Sequence, residues 1–244
     1  FSVSNNKLSI NLPKTPYRDG RGNPLYNKYP KIKVVGENKY AGLRELQGTN
    51  IDSKIHLGGS ITGTSLNILA REKNIVTKVS KHLSFREDIN NKLIKYTLKD
   101  NVGYTKEASK RFSIDTKAPV ISVSWNSTTG NGYYNFTRVA TLRVKDANFY
   151  RGGLNLSGKG TQISPFKRVG DEYVAKMYFS KEGTYKFSLN IRDRANNLSR
   201  TYHSGRFTID KTAPRVKVSF DNNSHRNGKY YNANRTARID INEL

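Results

Sequence analysis

The chain has 244 residues, room for two or more domains, and no apolar run long enough to cross a bilayer as a helix. Cysteine is absent, which excludes a disulfide scaffold, a thiolate metal site and a thiol nucleophile. Lys and Arg number 43 against 19 Asp and Glu, a formal charge of +24. A field of that sign draws polyanions: nucleic acid, teichoic acid, sulfated or sialylated glycans, or anionic lipid.

The first residue is Phe, and no charged start followed by an apolar core and a small-residue cleavage site opens the chain. It therefore reads as a piece of a longer or processed protein. Leu8-Ser9-Ile10-Asn11-Leu12 alternates as a strand does, and Pro13, Pro16, Gly20, Gly22 and Pro24 then break the pattern. Residues 1–29 are expected to be an N-terminal arm or the end of a preceding repeat. Within them, Tyr17-Arg18-Asp19-Gly20-Arg21-Gly22-Asn23 is similar to Ile191-Arg192-Asp193-Arg194-Ala195-Asn196-Asn197.

A strand signal follows Pro30 in Lys31-Ile32-Lys33-Val34. It returns after Pro119 in Val120-Ile121-Ser122-Val123 and after Pro214 in Arg215-Val216-Lys217-Val218. Two of these starts follow near-copies of one octet, Phe112-Ser113-Ile114-Asp115-Thr116-Lys117-Ala118-Pro119 and Phe207-Thr208-Ile209-Asp210-Lys211-Thr212-Ala213-Pro214. Proline gives no amide donor and fixes its own φ, so it suits a strand's first residue. The residue before it is pushed towards extended geometry. Each octet thus reads as a strand end, a stiff hinge and a new start, and the repetition marks a tandem array.

Three units are expected on this basis: a divergent one over 30–115, a cleaner one over 116–210, and the opening of a third over 211–244. The first should hold strands at 54–57, 65–70, 75–79, 93–98 and 109–114, with a helical turn near 85–92. Asp100-Asn101-Val102-Gly103 should turn the chain between its last two strands. In the second, Val139, Leu142 and Val144 mark one strand. Tyr173, Ala175, Met177 and Phe179 mark one face of another, and Lys181-Glu182-Gly183 should be a hairpin turn. Tyr185-Lys186-Phe187-Ser188-Leu189-Asn190-Ile191 alternates over its whole length and predicts one long strand. In the third, Asn227-Gly228-Lys229-Tyr230-Tyr231 echoes Asn131-Gly132-Tyr133-Tyr134, and Arg235 echoes Arg138. Two or three strands do not bury enough apolar surface alone, so the third unit is expected to be cut short or completed by another chain.

The Asp-Lys-Thr-Ala-Pro junction, the Asn-Gly-x-Tyr-Tyr turn and the turn at residues 193–197 together resemble bacterial Ig-like repeats of Gram-positive surface and cell-wall proteins and of some phage tail proteins. The resemblance implies an all-β fold of tandem immunoglobulin-like antiparallel sandwiches serving as stalks, spacers or adhesive modules. It implies an extracellular place at the bacterial surface or wall. These motifs define a domain type and carry no activity with them.

Catalytic constellations are not expected. His56, His82, His203 and His225 lack metal-ligand spacing, and no nucleophile elbow or phosphate loop appears. Gly152-Gly153 and Gly158-Lys159-Gly160 read as turns, and Lys176, the strand lysine weighed for an isopeptide crosslink, falls on the solvent face. No cofactor is expected. For calcium, the candidates are Asp115 and Asp210, with the turn acids Asp100 and Asp193 beside them. For a sugar or polyanion, they are Tyr133, Tyr134 and Arg138 with the equivalents Tyr230, Tyr231 and Arg235, because rings flanked by cations stack on sugar faces and bases. Trp125 and its equivalent Phe220 read as core or inter-domain anchors.

The expected function is a non-catalytic stalk or adhesive region of a bacterial surface protein, binding anionic wall or host glycans such as teichoic acid through a basic face. The alternative is a carbohydrate-binding accessory module of a secreted cell-wall enzyme or phage tail protein. Nucleic acid ranks below both, since no recognition motif accompanies the charge.

Overall fold

In a computed structural model the described residues are 5–49, 53–56, 76–127, 131–158, 162–220, 226–228, 230–232 and 234–243, with no side-chain description for 53–56 and 226–227. The expected strand at 65–70 and the glycine pair's Gly160 lie outside them, as does His225. The described residues form largely antiparallel sheets and a single turn of 3-10 helix, with no α-helix among them. By proximity the chain divides into two compact units. One comprises Phe1–Ile121, Val144–Asn155 and Asn190–Arg200; the other comprises Ser122–Arg143, Leu156–Leu189 and Thr201–Leu244.

In the first unit, β1 (Lys7–Asn11), β3 (Ile32–Glu37) and β6 (Lys78–Leu83) make one sheet. The facing sheet takes β2 (Leu25–Tyr26), β8 (Thr105–Ile114), β7 (Ile89–Asp100), β4 (Leu43–Thr49) and β5 (Ser53–His56), in that order. Period-2 alternation drives the layering. Ile32 and Val34 on β3 turn inward with Leu43, Leu46, Ile94, Tyr96, Leu98 and Phe112, all fully buried. Ile10 and Tyr26 belong to the same core, so residues 7–26 are not an arm. β1 pairs along its length with β3, and β2 pairs in parallel with Ser113 and Ile114 at the end of β8. The strand after Pro30 is thus the second long strand of its unit. Alternation alone could not tell it from a first one.

No helical turn forms at residues 85–92: Ile89 already begins β7. Asn91 adopts φ 54°, and the β7–β8 register shifts between Ile89 and Lys92, a bulge that a helix period mimics. Asp100 turns the chain as expected. Its N–H donates to the Tyr104 carbonyl, and Gly103 takes the positive φ, 99°, that the turn demands.

The remaining strands are β9 (Val120–Trp125), β10 (Tyr133–Tyr134), β11 (Arg138–Lys145), β12 (Leu154–Gly158), β13 (Lys167–Val169), β14 (Glu172–Phe179), β15 (Gly183–Tyr185), β16 (Phe187–Ile191), β17 (Tyr202–His203), β18 (Phe207–Ile209), β19 (Arg215–Phe220), β20 (Arg226–Asn227), β21 (Tyr230–Tyr231) and β22 (Ala237–Asn242). Sheets run β13-β14-β11-β9, β12-β16-β17 and β10-β18-β15. Ala140, Leu142, Ala175, Met177, Phe179, Phe187, Leu189 and Phe207 are buried in the second unit, while Lys176 is exposed as its alternation requires. The long strand expected over 185–191 divides at Lys186: β15 pairs with β18, and β16 pairs with β17. Lys181-Glu182-Gly183 therefore joins strands of different sheets and is not a hairpin turn.

Three features of the repeat recur in detail. β10 pairs in parallel with β18 as β2 does with β8, and the Asp210 N–H donates to the Tyr134 carbonyl as Asp115 does to Tyr26. Asp19, Asp100 and Asp193 build one turn three times. In each the aspartate N–H donates to the carbonyl four residues on, and its side chain accepts that residue's N–H. The octet, finally, is latched by an acid from an earlier loop. Asp88 accepts from the Thr116 N–H and hydroxyl at 3.0 and 2.8 Å, and Glu182 accepts from the Lys211 N–H and Thr212 hydroxyl at 2.9 and 2.7 Å.

Among the described residues of 215–242, the pairs are the hairpin-like β19–β22 and β20–β21. Their register sets Val216 opposite Ile241 and Val218 opposite Ile239, so these four share a face, and all are exposed.

Candidate functional site

β9 ends on Trp125, the Asn-Gly turn delivers Tyr134, and β11 begins on Arg138. The Arg138 guanidinium lies 4.0 Å from the Trp125 ring centre, 3.9 Å from that of Tyr134 and 4.9 Å from that of Phe207. Arg138 is only 7% exposed. One of its terminal nitrogens donates to the Ser127 carbonyl at 3.2 Å, while Nε is buried without an acceptor. Burial pulls its pKa down, and the neighbouring Tyr134 and Tyr202 oppose that pull. The ring faces thus replace the missing carboxylate, each holding the cation through its quadrupole. The copy is faithful: Arg235 lies 4.0 Å from Phe220 and 3.9 Å from Tyr231.

Of the six ligand candidates, then, Tyr134 and Arg138 are buried against each other, and Tyr231 and Arg235 repeat that contact. Tyr133 and Tyr230 point outward, 65% and 81% exposed, and are the two available to a partner. Trp125 sits among Phe179, Phe187 and Phe207 and donates through Nε1 to the Tyr202 hydroxyl, a core position as expected.

The acidic candidates divide differently. Asp115 at the end of β8, Asp146 after β11 and Asp193 after β16 bring carboxylate oxygens within 4.8 Å of one another. Asn148 donates to Asp115 at 2.7 Å, and Asn197 donates to both the Asp115 carbonyl and the Asp193 carboxylate at 2.8 Å. Burial, reinforced by the charge of Asp115, pushes Asp146 up to about 7. Burial raises Asp193 as well, against the hydrogen bonds from Asn197. Three such carboxylates can share a proton or hold a divalent cation, although calcium takes about six to eight oxygens. Asp210 is not part of the group; its carboxylate accepts the Thr212 N–H. Asp100 is saturated by the N–H groups of Val102 and Tyr104 and the amides of Asn6 and Asn38. Asp146 was missed in the sequence, where it is one acid following a strand. Its spacing to Asn148 gave the only signal.

The layered sheets define an all-β protein whose sheets are largely antiparallel. No protein-family model and no curated protein matches the sequence. Among solved structures, the chain is similar to Dpr2 Ig1-Ig2 in complex with DIP-Theta Ig1-Ig3, at 8% identity and TM-score 0.23, covering 82% of this chain and 97% of that one. It is also similar to SGBP-B of the Bacteroides ovatus mixed-linkage glucan utilization locus in complex with a mixed-linkage heptasaccharide, at 9% identity and TM-score 0.23. That match covers 94% of this chain and 60% of the other. Likeness at this level says nothing of what the present chain binds.

Proposed function

We propose that the chain is a non-catalytic Ig-like repeat region of a bacterial surface protein, serving as a stalk and adhesive module. The observation that carries this is the recurring latch: in both copies of the octet an acid from a preceding loop grips the residues just before the proline. A turn held at backbone and hydroxyl together leaves little freedom in the residues that lead into each proline. Residues 215–242 then repeat the opening of the preceding copy in sequence, Ile239 and Ile241 taking the places of the buried Leu142 and Val144. Anionic wall or host glycans are the proposed partners, drawn by the +24 charge.

The test is binding of the whole chain to immobilised teichoic acid and to heparin across a salt series. Affinity should fall steeply as salt rises, because exposed charges are screened beyond about 8 Å at physiological ionic strength. Binding that ignores salt would refute the electrostatic part. The second reading, a carbohydrate-binding accessory module of a secreted wall enzyme or phage tail protein, is favoured by the outward Tyr133 and Tyr230. It requires that Tyr133→Ala abolish saturable oligosaccharide binding.

A further inference from the structure

In the first unit, the segment between β1 and β2 surrounds a cavity of about 570 Å³ that is open to solvent. Leu12, Pro13, Pro16 and Pro24 give it apolar walls, Lys14 and Arg18 give it charge, and its lining holds no acidic residue. The size lies within the range of about 300–1,000 Å³ usual for binding sites. The walls are held from behind. The Tyr26 hydroxyl donates to the Pro13 carbonyl at 2.7 Å, the Thr15 hydroxyl donates to the Leu25 carbonyl at 2.8 Å, and the Leu25 N–H donates to the Tyr17 carbonyl at 3.1 Å. Each proline fixes its own φ besides. A wall so constrained loses little freedom when something docks on it.

The groups left open decide what docks. Thr15 Oγ1 already accepts the Tyr17 N–H, and the carbonyls of Pro13, Thr15 and Pro24 already accept from Tyr26, Arg18 and Ser113. Arg18 is anchored at one end: its Nη1 donates to the Thr15 and Tyr17 carbonyls, both at 2.8 Å. Its Nε and Nη2 have no acceptor among the described residues, and together they form the edge that takes a carboxylate through two parallel bonds. Lys14 is exposed and has no hydrogen-bond or ion-pair partner among the described residues. The cavity therefore offers cationic donors beside proline rings, with few acceptors left to give. A sulfated or phosphate polymer would press hydroxyls and further charges against those rings, losing water without gaining a partner. A peptide with one carboxylate between apolar side chains matches both halves.

We infer that this cavity is a docking groove for an acidic peptide segment of a partner protein. The Asp or Glu carboxylate of that segment is held by the Nε–Nη2 edge of Arg18 and by Lys14, and the apolar side chains beside it lie on Leu12 and the prolines. The inference adds a protein partner to the glycan reading above and does not depend on it.

The experiment selects a displayed library of random peptides on the whole chain at high salt, which suppresses diffuse attraction to the +24 charge. An enriched peptide, synthesised with both ends capped, is then titrated by fluorescence anisotropy. Enriched peptides should share an Asp or Glu flanked by apolar residues, and replacing that acid with its amide should weaken binding roughly tenfold or more. Arg18→Lys, which keeps the charge and loses the two-bond edge, and Lys14→Gln should each weaken it as well. Lys28→Gln, an exposed cation outside the lining, should leave it alone. Lys14 has no partner in the fold to lose, so thermal unfolding of Lys14→Gln should match the parent, which keeps lost contact apart from lost fold. The proposal is overturned if the selected peptides share no acid, if Arg18→Lys and Lys14→Gln bind the peptide as the parent does, or if the two variants lose heparin and keep the peptide. Heparin affinity should fall only slightly in either variant, so failure here leaves the glycan reading standing.

Discussion

Arg138 is a cation placed in the interior of the second unit with aromatic faces in place of a counterion. Truncation to Ala would remove the stacking and leave a void among Trp125, Tyr134 and Phe207. It should cost about 2–4 kcal/mol in urea unfolding; a loss below about 0.5 kcal/mol, typical of surface changes, would show the rings indifferent to it. Asp146 makes a prediction in pH. Folding raises its pKa from 3.8 to about 7, so the folded form binds its proton more tightly than the unfolded chain does. That contribution is complete below the unfolded value and is lost as pH climbs through about 7. Asp146→Asn should therefore melt above the parent at pH 8, with the gap closing below pH 5; a gap constant with pH would rule the argument out. Sequence showed which residues recur but not which way they face. Tyr133 and Tyr134 are neighbours of one type, yet pleating sends one to solvent and the other to the core. Asp115 and Asp210 occupy one place in the octet, but among the described residues only Asp115 meets two other acids, supplied by loops far along the chain.

At the level of strands, repetition makes a controlled comparison. Leu142 and Ile239 hold equivalent positions, the first fully buried and the second 61% exposed. Leu142→Ala should cost about 3 kcal/mol or more, whereas Ile239→Ala should change stability by less than about 0.5 kcal/mol. Equal costs in denaturant titrations would mean that the β19–β22 face is covered in solution. Glu182 holds the second octet by two hydrogen bonds, which pull its pKa down. Glu182→Ala should speed amide exchange at Lys211 while leaving β14 protected; unchanged exchange there would dismiss the latch. Strand existence was legible from alternation, as at β14 and β16. Strand partnership was not. Nothing in the run from Tyr185 to Ile191 marks Lys186 as the place where the chain passes between sheets, and nothing around the proline before Ile32 shows that β1 already precedes it in the same sheet. Those distinctions depend on which distant segment supplies the hydrogen bonds.

For the whole chain, the charge is spread along strands and turns instead of being gathered in one motif. Exposed pairs such as Lys95 with Glu107 at 2.8 Å neutralise only a few of the cations. Replacing any single exposed Lys should lower heparin affinity slightly and reduce the steepness of its salt dependence, with no one residue decisive. A variant that alone abolished binding would point to a specific pocket. The short parallel pairs carry a mechanical consequence. Tyr133 and Tyr134, near the beginning of a repeat, are hydrogen-bonded side by side to Thr208 and Ile209 at its end. Tension applied between the two ends of that repeat would load those bonds in shear, where they must break together and cannot be unzipped one at a time. Once they gave way, the strands between would pay out roughly 25 nm of slack, so a tether of such units would absorb a sudden tug by yielding in steps.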